Sequence, residues 1–93
     1  MSEMSHVEGK NVGKIILYAL STCVWCKKAR NLLDELKVEY YYTYVDLLNN
    51  DENIQVKDEI KKWNPRCTYP TMLINDDTCI VGFDETKIRG LAK

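Results

Sequence analysis

Lys14 to Leu20 (KIILYAL), running directly into Ser21-Thr22-Cys23-Val24-Trp25-Cys26, is the stretch whose reading decides the fold. From Ile15 onward it is apolar without alternation, which fits a strand buried on both faces in the middle of a sheet. Ser21 or Thr22 then offers a helix N-cap. Ala29, Leu32, Leu33 and Leu36 recur at helical spacing, and Lys27, Lys28, Arg30, Asp34, Glu35 and Lys37 fill the other faces. The spacing predicts an amphipathic helix from Val24 to Lys37. Tyr40 to Asp46 (YYYTYVD), dense in aromatic and β-branched residues, supplies a second strand, and the strand-helix-strand order implies a right-handed parallel crossover.

Working outward, Leu47 to Asn53 is polar, and Asp51 or Asn53 can cap a second helix through Ile54 to Trp63. Asn64-Pro65 ends it, because proline disfavours the helical conformation of the residue before it. Thr71 to Ile74, Asn75-Asp76-Asp77 and Thr78 to Val81 read as a hairpin of two short strands. A last helix, Glu85 to Ala92, is capped by Asp84 and turns Ile88 and Leu91 to the core. The expected architecture is α/β, β-α-β-α-β-β-α, a four-stranded mixed sheet with helices on both faces. Residues 1–13 read as a flexible N-terminal tail and 14–93 as the domain.

With 93 residues there is material for one small core only. The 13 Lys+Arg nearly balance the 14 Asp+Glu, and no dense basic run exists, which excludes a nucleic-acid binder that relies on phosphate contacts. No apolar run approaches the roughly 20 residues that span a bilayer. Met1 to Lys14 is polar and glycine-containing where a secretory signal would be apolar, so an intracellular, cytoplasmic location is expected.

Four cysteines stand out: Cys23, Cys26, Cys67 and Cys79. In a reducing compartment they point to catalysis or metal rather than to a disulfide framework. Cys23 and Cys26 form a C-x-x-C, whereas Cys67 and Cys79 lie twelve apart and make no second chelating hook, so an intramolecular four-cysteine zinc site is disfavoured. The pair falls at the strand-helix junction. There the unpaired N–H groups and positive end of a helix favour a thiolate, an effect that lowers cysteine pKa values from about 8.5 to between about 3.5 and 7.5. Cys23 is the candidate nucleophile and Cys26, one turn further, the candidate resolving thiol. Trp25 can pack beside the thiols and shape a partner surface. Lys27 and Lys28 add charge nearby, with solvation as their default role. Trp63 reads as helix-end packing, Cys67 and Cys79 as buried small residues, with a regulatory thiol as the alternative for Cys67. His6 has no assigned role.

The chain resembles the glutaredoxins and the glutaredoxin-like redoxins that serve ribonucleotide reductase, from about Lys14 to Lys93. The resemblance rests on the first strand, Cys23-Val24-Trp25-Cys26, Thr68-Tyr69-Pro70-Thr71, then Val81-Gly82-Phe83-Asp84 and a final helix, in that order. It implies a thioredoxin-like fold and a cis-proline at Pro70 facing the cysteines, with the N–H and C=O of Tyr69 offered to an extended thiol substrate. It also implies a substrate-binding turn at Gly82, Phe83 and Asp84, with Asp84 either capping the last helix or contacting ligand. Only one of the family's usual two glycines is present in that turn. Three residues before Cys23, where many glutathione-using members carry lysine, stands Leu20. Arg66 offers a positive charge near the Thr68–Thr71 segment, with a solvated role as its alternative.

What the resemblance implies is a dithiol thiol-disulfide oxidoreductase that passes electrons to protein disulfides, such as that of ribonucleotide reductase, through a redox-active Cys23–Cys26 disulfide. No cofactor or metal is required; glutathione or another low-molecular-weight thiol is an optional ligand. The electron donor is a thioredoxin-reductase-like or ferredoxin-linked reductase, or a small thiol. A monomer with no nucleic-acid or membrane partner is expected. The alternative is an iron-sulfur protein bridging a cluster between subunits through Cys23. With near-zero net charge, partner recognition falls to Trp25, Tyr69 and the Gly82 turn.

Overall fold

The computed structural model describes residues 4–92. Residues 1–3 of the expected tail and residue 93 of the expected domain lie outside the described residues. In chain order the elements are β1 (Ser5–Val7), β2 (Ile15–Ala19), α1 (Val24–Leu36), β3 (Tyr40–Tyr44), a 3-10 turn (Val45–Leu47), α2 (Asn50–Trp63), β4 (Thr71–Ile74), β5 (Thr78–Val81) and α3 (Glu85–Gly90). The sheet order is β1-β3-β2-β4-β5, with β2 and β3 parallel and the other neighbours antiparallel. This is a mixed α/β thioredoxin-like fold.

β2 lies at the centre, and all five of its residues are buried. Its side chains alternate between two cores. Ile15, Leu17 and Ala19 pack with Ala29, Leu33 and Ile88 under α1 and α3, whereas Ile16 and Tyr18 pack with Val56 and Ile60 under α2. A strand that feeds two cores carries no polar face, which is why its sequence does not alternate.

The sheet has five strands where the sequence reading expects four. β1 lies inside the segment read as tail and pairs antiparallel with β3, Ser5 opposite Tyr42 and Val7 opposite Tyr40. Ser-His-Val carries too little apolar or β-branched density to register as a strand alone. Neighbours hold it: the His6 ring stacks on Tyr41 with centroids 4.6 Å apart, and His6 Nε2 meets Glu39 Oε2 at 2.8 Å. Beside it a Cβ on Gly9 would stand 2.7 Å from the Lys37 carbonyl oxygen, so only glycine lets the chain pass to the bridge between Lys10 and Val38.

Other boundaries also move. Strand β3 stops at Tyr44 rather than Asp46, because Val45 turns inward and its carbonyl accepts from Asn53 Nδ2 at 2.8 Å. Helix α2 starts at Asn50, four residues ahead of the expected Ile54, and neither Asp51 nor Asn53 caps it. Asn49 does, accepting from the Glu52 N–H at 2.9 Å and donating Nδ2 to Glu52 Oε1 at 2.6 Å. Ile54 is 59% exposed, which explains the imperfect apolar stripe. Helix α1 ends one residue early because Lys37 adopts a left-handed conformation, and α3 ends at Gly90 instead of Ala92.

Candidate active site

Neither Ser21 nor Thr22 caps α1. Cys23 does: its backbone is extended (φ −91°, ψ 118°) and its sulfur accepts from the Cys26 N–H at 3.2 Å. The first turn of α1 contains no acidic residue. Cys23 is half-buried, whereas Cys26 is 1% exposed beneath the helix. Burial, reinforced by the Cys23 sulfur, pushes the Cys26 thiol up to about 12. The Leu20 N–H points at the Cys26 sulfur, 3.5 Å away, and works in the opposite direction.

The turn ahead of β4 is set by a buried asparagine. Asn64 ends α2, and its Nδ2 donates to the Thr68 carbonyl (3.2 Å), Thr68 Oγ1 (2.9 Å) and Thr71 Oγ1 (3.1 Å). Thr71 Oγ1 in turn donates to the Thr68 carbonyl at 2.6 Å. Between these latches the Tyr69–Pro70 bond is cis and Pro70 is buried. The Pro70 carbonyl accepts from the Gly82 N–H at 2.8 Å, which ties the turn to the end of β5.

Trp25, Tyr69, Pro70, Gly82 and Phe83 therefore converge, lining a cavity of about 260 Å³. The Trp25 and Phe83 rings lie 5.9 Å apart, and Lys28 Nζ sits 4.5 Å from the Trp25 centroid. Trp25 remains 55% exposed, so an amphipathic aromatic surface adjoins the cysteine pair. Gly82 has φ +78° with open space around it, so the sign of its backbone angle, not crowding, calls for glycine. Asp84 is occupied locally: it caps α3, accepting from the Lys87 N–H at 3.1 Å.

The other residues singled out in the sequence fall outside this convergence. Cys67 (φ +51°) packs on the α2 side of the sheet, opposite the core that takes Cys23 and Cys26, with its sulfur 3.5 Å from the Tyr69 hydroxyl. Burial, then that thiol, raises the Tyr69 phenol above its ordinary range. Cys79 sits on β5, where burial raises its thiol. Arg66 and Lys27 are exposed; Leu20 and Trp63 pack partly buried against the α2-side core. Among the described residues no three His, Cys, Asp or Glu side chains converge as a metal site. No described helix is long and apolar enough to cross a membrane.

Two features near the cysteines escape sequence reading. On the flank of α1, Arg30 donates to the Tyr40 hydroxyl (3.3 Å) and the Tyr44 hydroxyl (3.0 Å), and its guanidinium lies 4.0 Å from the Tyr42 ring centroid. It helps to line a second cavity of about 370 Å³ with Cys23 on its rim. At the end of β3, Asp46 accepts two hydrogen bonds from Ser21, two residues before Cys23. The YYYTY run signals aromatic contacts, but only the parallel register shows which residues of α1 and of the loop they meet.

A family model described as Glutaredoxin matches residues 15–79. Among solved structures, a glutaredoxin from Methanosarcina mazei Go1 is 45% identical with a TM-score of 0.90, covering 98% of this chain and 88% of that one. Methanoredoxin from Methanosarcina acetivorans is 44% identical with a TM-score of 0.88, covering 90% of this chain and 88% of that one. Human Glutaredoxin-1 is 25% identical over 71 residues, 75% of this chain, and the match spans 66% of the human protein's length.

Proposed function

The chain belongs to the glutaredoxin family, and from that premise we propose that it is a dithiol thiol-disulfide oxidoreductase acting on protein disulfides through Cys23 and Cys26. The observation that carries this reading is the asymmetry of the pair. Cys23 stands half-exposed at the start of a helix whose first turn holds no acidic side chain, and Cys26 lies buried one turn further with its thiol held protonated.

The Cys23 thiolate attacks a substrate disulfide, forming a mixed disulfide and releasing the first substrate thiolate. Cys26 then attacks Cys23; the Cys23–Cys26 bond forms, the mixed disulfide breaks, and the reduced substrate leaves. The net result is transfer of two electrons and two protons to the substrate. A reductase or a small thiol returns Cys23 and Cys26 to the dithiol in a reducing, cytoplasmic setting. An extended substrate segment runs along Tyr69 and Pro70, and the Trp25–Phe83 aromatic surface receives its apolar side chains.

Leu20 supports a protein disulfide over glutathione, since no cation stands three residues before Cys23 to receive a carboxylate. The Gly82-Phe83 turn resembles the one that the redoxins serving ribonucleotide reductase tend to carry, and this supports ribonucleotide reductase as the partner. Trapping tests the reading. Cys26→Ser protein incubated with disulfide-form ribonucleotide reductase is expected to accumulate a mixed disulfide through Cys23, found by mass spectrometry. No adduct, or one through another cysteine, overturns the assignment, and efficient reduction of Cys23–Cys26 by glutathione overturns the reading of Leu20.

A further inference from the structure

The parallel register of β2 and β3 sets Ala19 beside Tyr44. Two residues beyond each stand Ser21 and Asp46, and they meet. The Ser21 N–H donates to Asp46 Oδ1 at 2.9 Å and Ser21 Oγ to Asp46 Oδ2 at 2.5 Å. These bonds, the hydroxyl first, hold the Asp46 carboxyl below its usual range, so it is an anion at neutral pH. The anion has firm backing. Val45 before it is fully buried, and Asn53 of α2 grips the Val45 carbonyl at 2.8 Å.

On the other side of Ser21, Leu20 touches both cysteines. Its carbonyl accepts from the Cys23 N–H at 3.3 Å, and its N–H donates to the Cys26 sulfur at 3.5 Å. A continuous path therefore runs from α2 through Asn53, Asp46, Ser21 and Leu20 to Cys26. We propose that Asp46 is a positioning residue for the redox pair: by fixing Ser21 it holds the Leu20 N–H against the Cys26 sulfur for the step that closes the Cys23–Cys26 ring. This rests on the reading of Cys23 and Cys26 as the redox pair.

Ring closure is the step in which that donor matters. Cys26 loses its proton to water, its thiolate attacks Cys23, the Cys26–Cys23 bond forms, and the bond from Cys23 to the substrate sulfur breaks. The substrate sulfur leaves with the electron pair and takes up a proton. The ionisable groups acting on Cys26 are Cys23 on its own helix, Tyr69 ahead of β4 and Asp46 beyond β3. In the mixed disulfide Cys23 carries no charge, so burial and the charge of Asp46 oppose the Cys26 thiolate, and the Leu20 N–H favours it. Asp46 thus has two opposed effects: its hydrogen bonds place the favourable donor, and its charge works mildly against the thiolate.

Two substitutions separate them. Asp46→Asn keeps an oxygen for the Ser21 N–H and drops the charge; Asp46→Ala drops both. The test mixes reduced protein, in a Cys67→Ser, Cys79→Ala background, with dithiobis(nitrobenzoate). One thionitrobenzoate is released when Cys23 attacks and a second when Cys26 closes the ring. In Asp46→Ala the second phase is expected to slow about fivefold at neutral pH, a barrier rise of about 1 kcal/mol. In Asp46→Asn it is expected to match or exceed the parent, with its pH profile displaced to lower pH. Ser21→Ala, which loses only the hydroxyl bond, is expected to fall between the parent and Asp46→Ala, and it carries the test should Asp46→Ala fail to fold. Closure rates and pH profiles unchanged across the variants overturn the proposal, as does an Asn variant as slow as the Ala variant. A parent protein that never shows the second phase overturns instead the redox-pair reading itself.

Discussion

The first turns of α1 and α2 meet the same requirement in opposite ways. Each helix begins with N–H groups that lack intrahelical partners. At α2, the Asn49 oxygen accepts one of them, and Asp51 and Glu52 set negative charge against the positive helix end. At α1 a thiol does the capping, and the first turn holds Val24, Trp25 and Cys26 with no acid. Sulfur is a weak acceptor beside an amide oxygen. α3, capped by Asp84 with Glu85 in its first turn, follows the pattern of α2. Among the three described helices, α1 alone carries no acid in its own first turn, with Asp46 acting on it only from outside the helix through Ser21, and that is the helix that begins with the proposed redox pair. The difference separates a terminus arranged for stability from one whose first turn is left open to an anion, the place the proposed function gives to the Cys23 sulfur.

The harshest way to break this contrast is Cys23→Ser. Serine is among the best N-caps, so the variant is expected to melt at or above the temperature of the parent. Its reduction of a peptide disulfide is expected to fall by at least about a thousandfold, because the hydroxyl cannot replace the thiolate. A variant that lost stability together with activity would show that the sulfur at α1 serves the fold. At α2 the expectation reverses. Asn49→Ala removes the cap and its contact with Glu52, costing about 1 kcal/mol and lowering Tm by about 4–8 °C in a domain of this size. Disulfide reduction by that variant is expected to stay at the parental rate, and a matching loss of rate would mean that the two termini are not functionally separate.

The same two termini show what was legible in the sequence. Periodicity exposed β2, α1 and the β4–β5 hairpin, because a continuous apolar run, a helical stripe and an Asn-Asp-Asp turn are local signals. Asp84 was legible as a cap because it stands directly before its helix. The caps at Cys23 and Asn49 were not: several polar residues competed at each start, and backbone angles settled by packing chose among them. β1 was hidden because its pairing with β3 comes from the Tyr41 stack and the Glu39 contact, not from its own composition. Of the six residues expected to bind substrate, Trp25, Tyr69, Pro70, Gly82 and Phe83 line one cavity, and Asp84 caps α3 instead. The Asn64 latch stays hidden because the course of the loop backbone, not a residue pattern, turns Thr68 and Thr71 to the amide, and the Asp46–Ser21 bridge because it joins the ends of two strands whose register no local pattern encodes.

The mildest probe places an acid where α1 lacks one. Val24 is 66% exposed and heads the first turn, so Val24→Asp disturbs little packing. By the logic of α2, the new carboxylate should stabilise the helix, by about 0.3–1 kcal/mol. The same field that welcomes it is then shared with the thiolate of Cys23. Attack on a small uncharged disulfide at neutral pH is therefore expected to slow about two- to fivefold, the rate equivalent of that energy. Val24→Asn controls for the lost valine surface and is expected to leave the rate near the parent. The gap between the two variants should narrow in about 1 M salt, where the screening length falls to about 3 Å. A more stable Val24→Asp protein that attacks at the parental rate in low salt would sever the link between the bare terminus and the thiol. Asp and Asn variants slowed alike, at every ionic strength, would assign the effect to the apolar surface beside Trp25 instead of to charge.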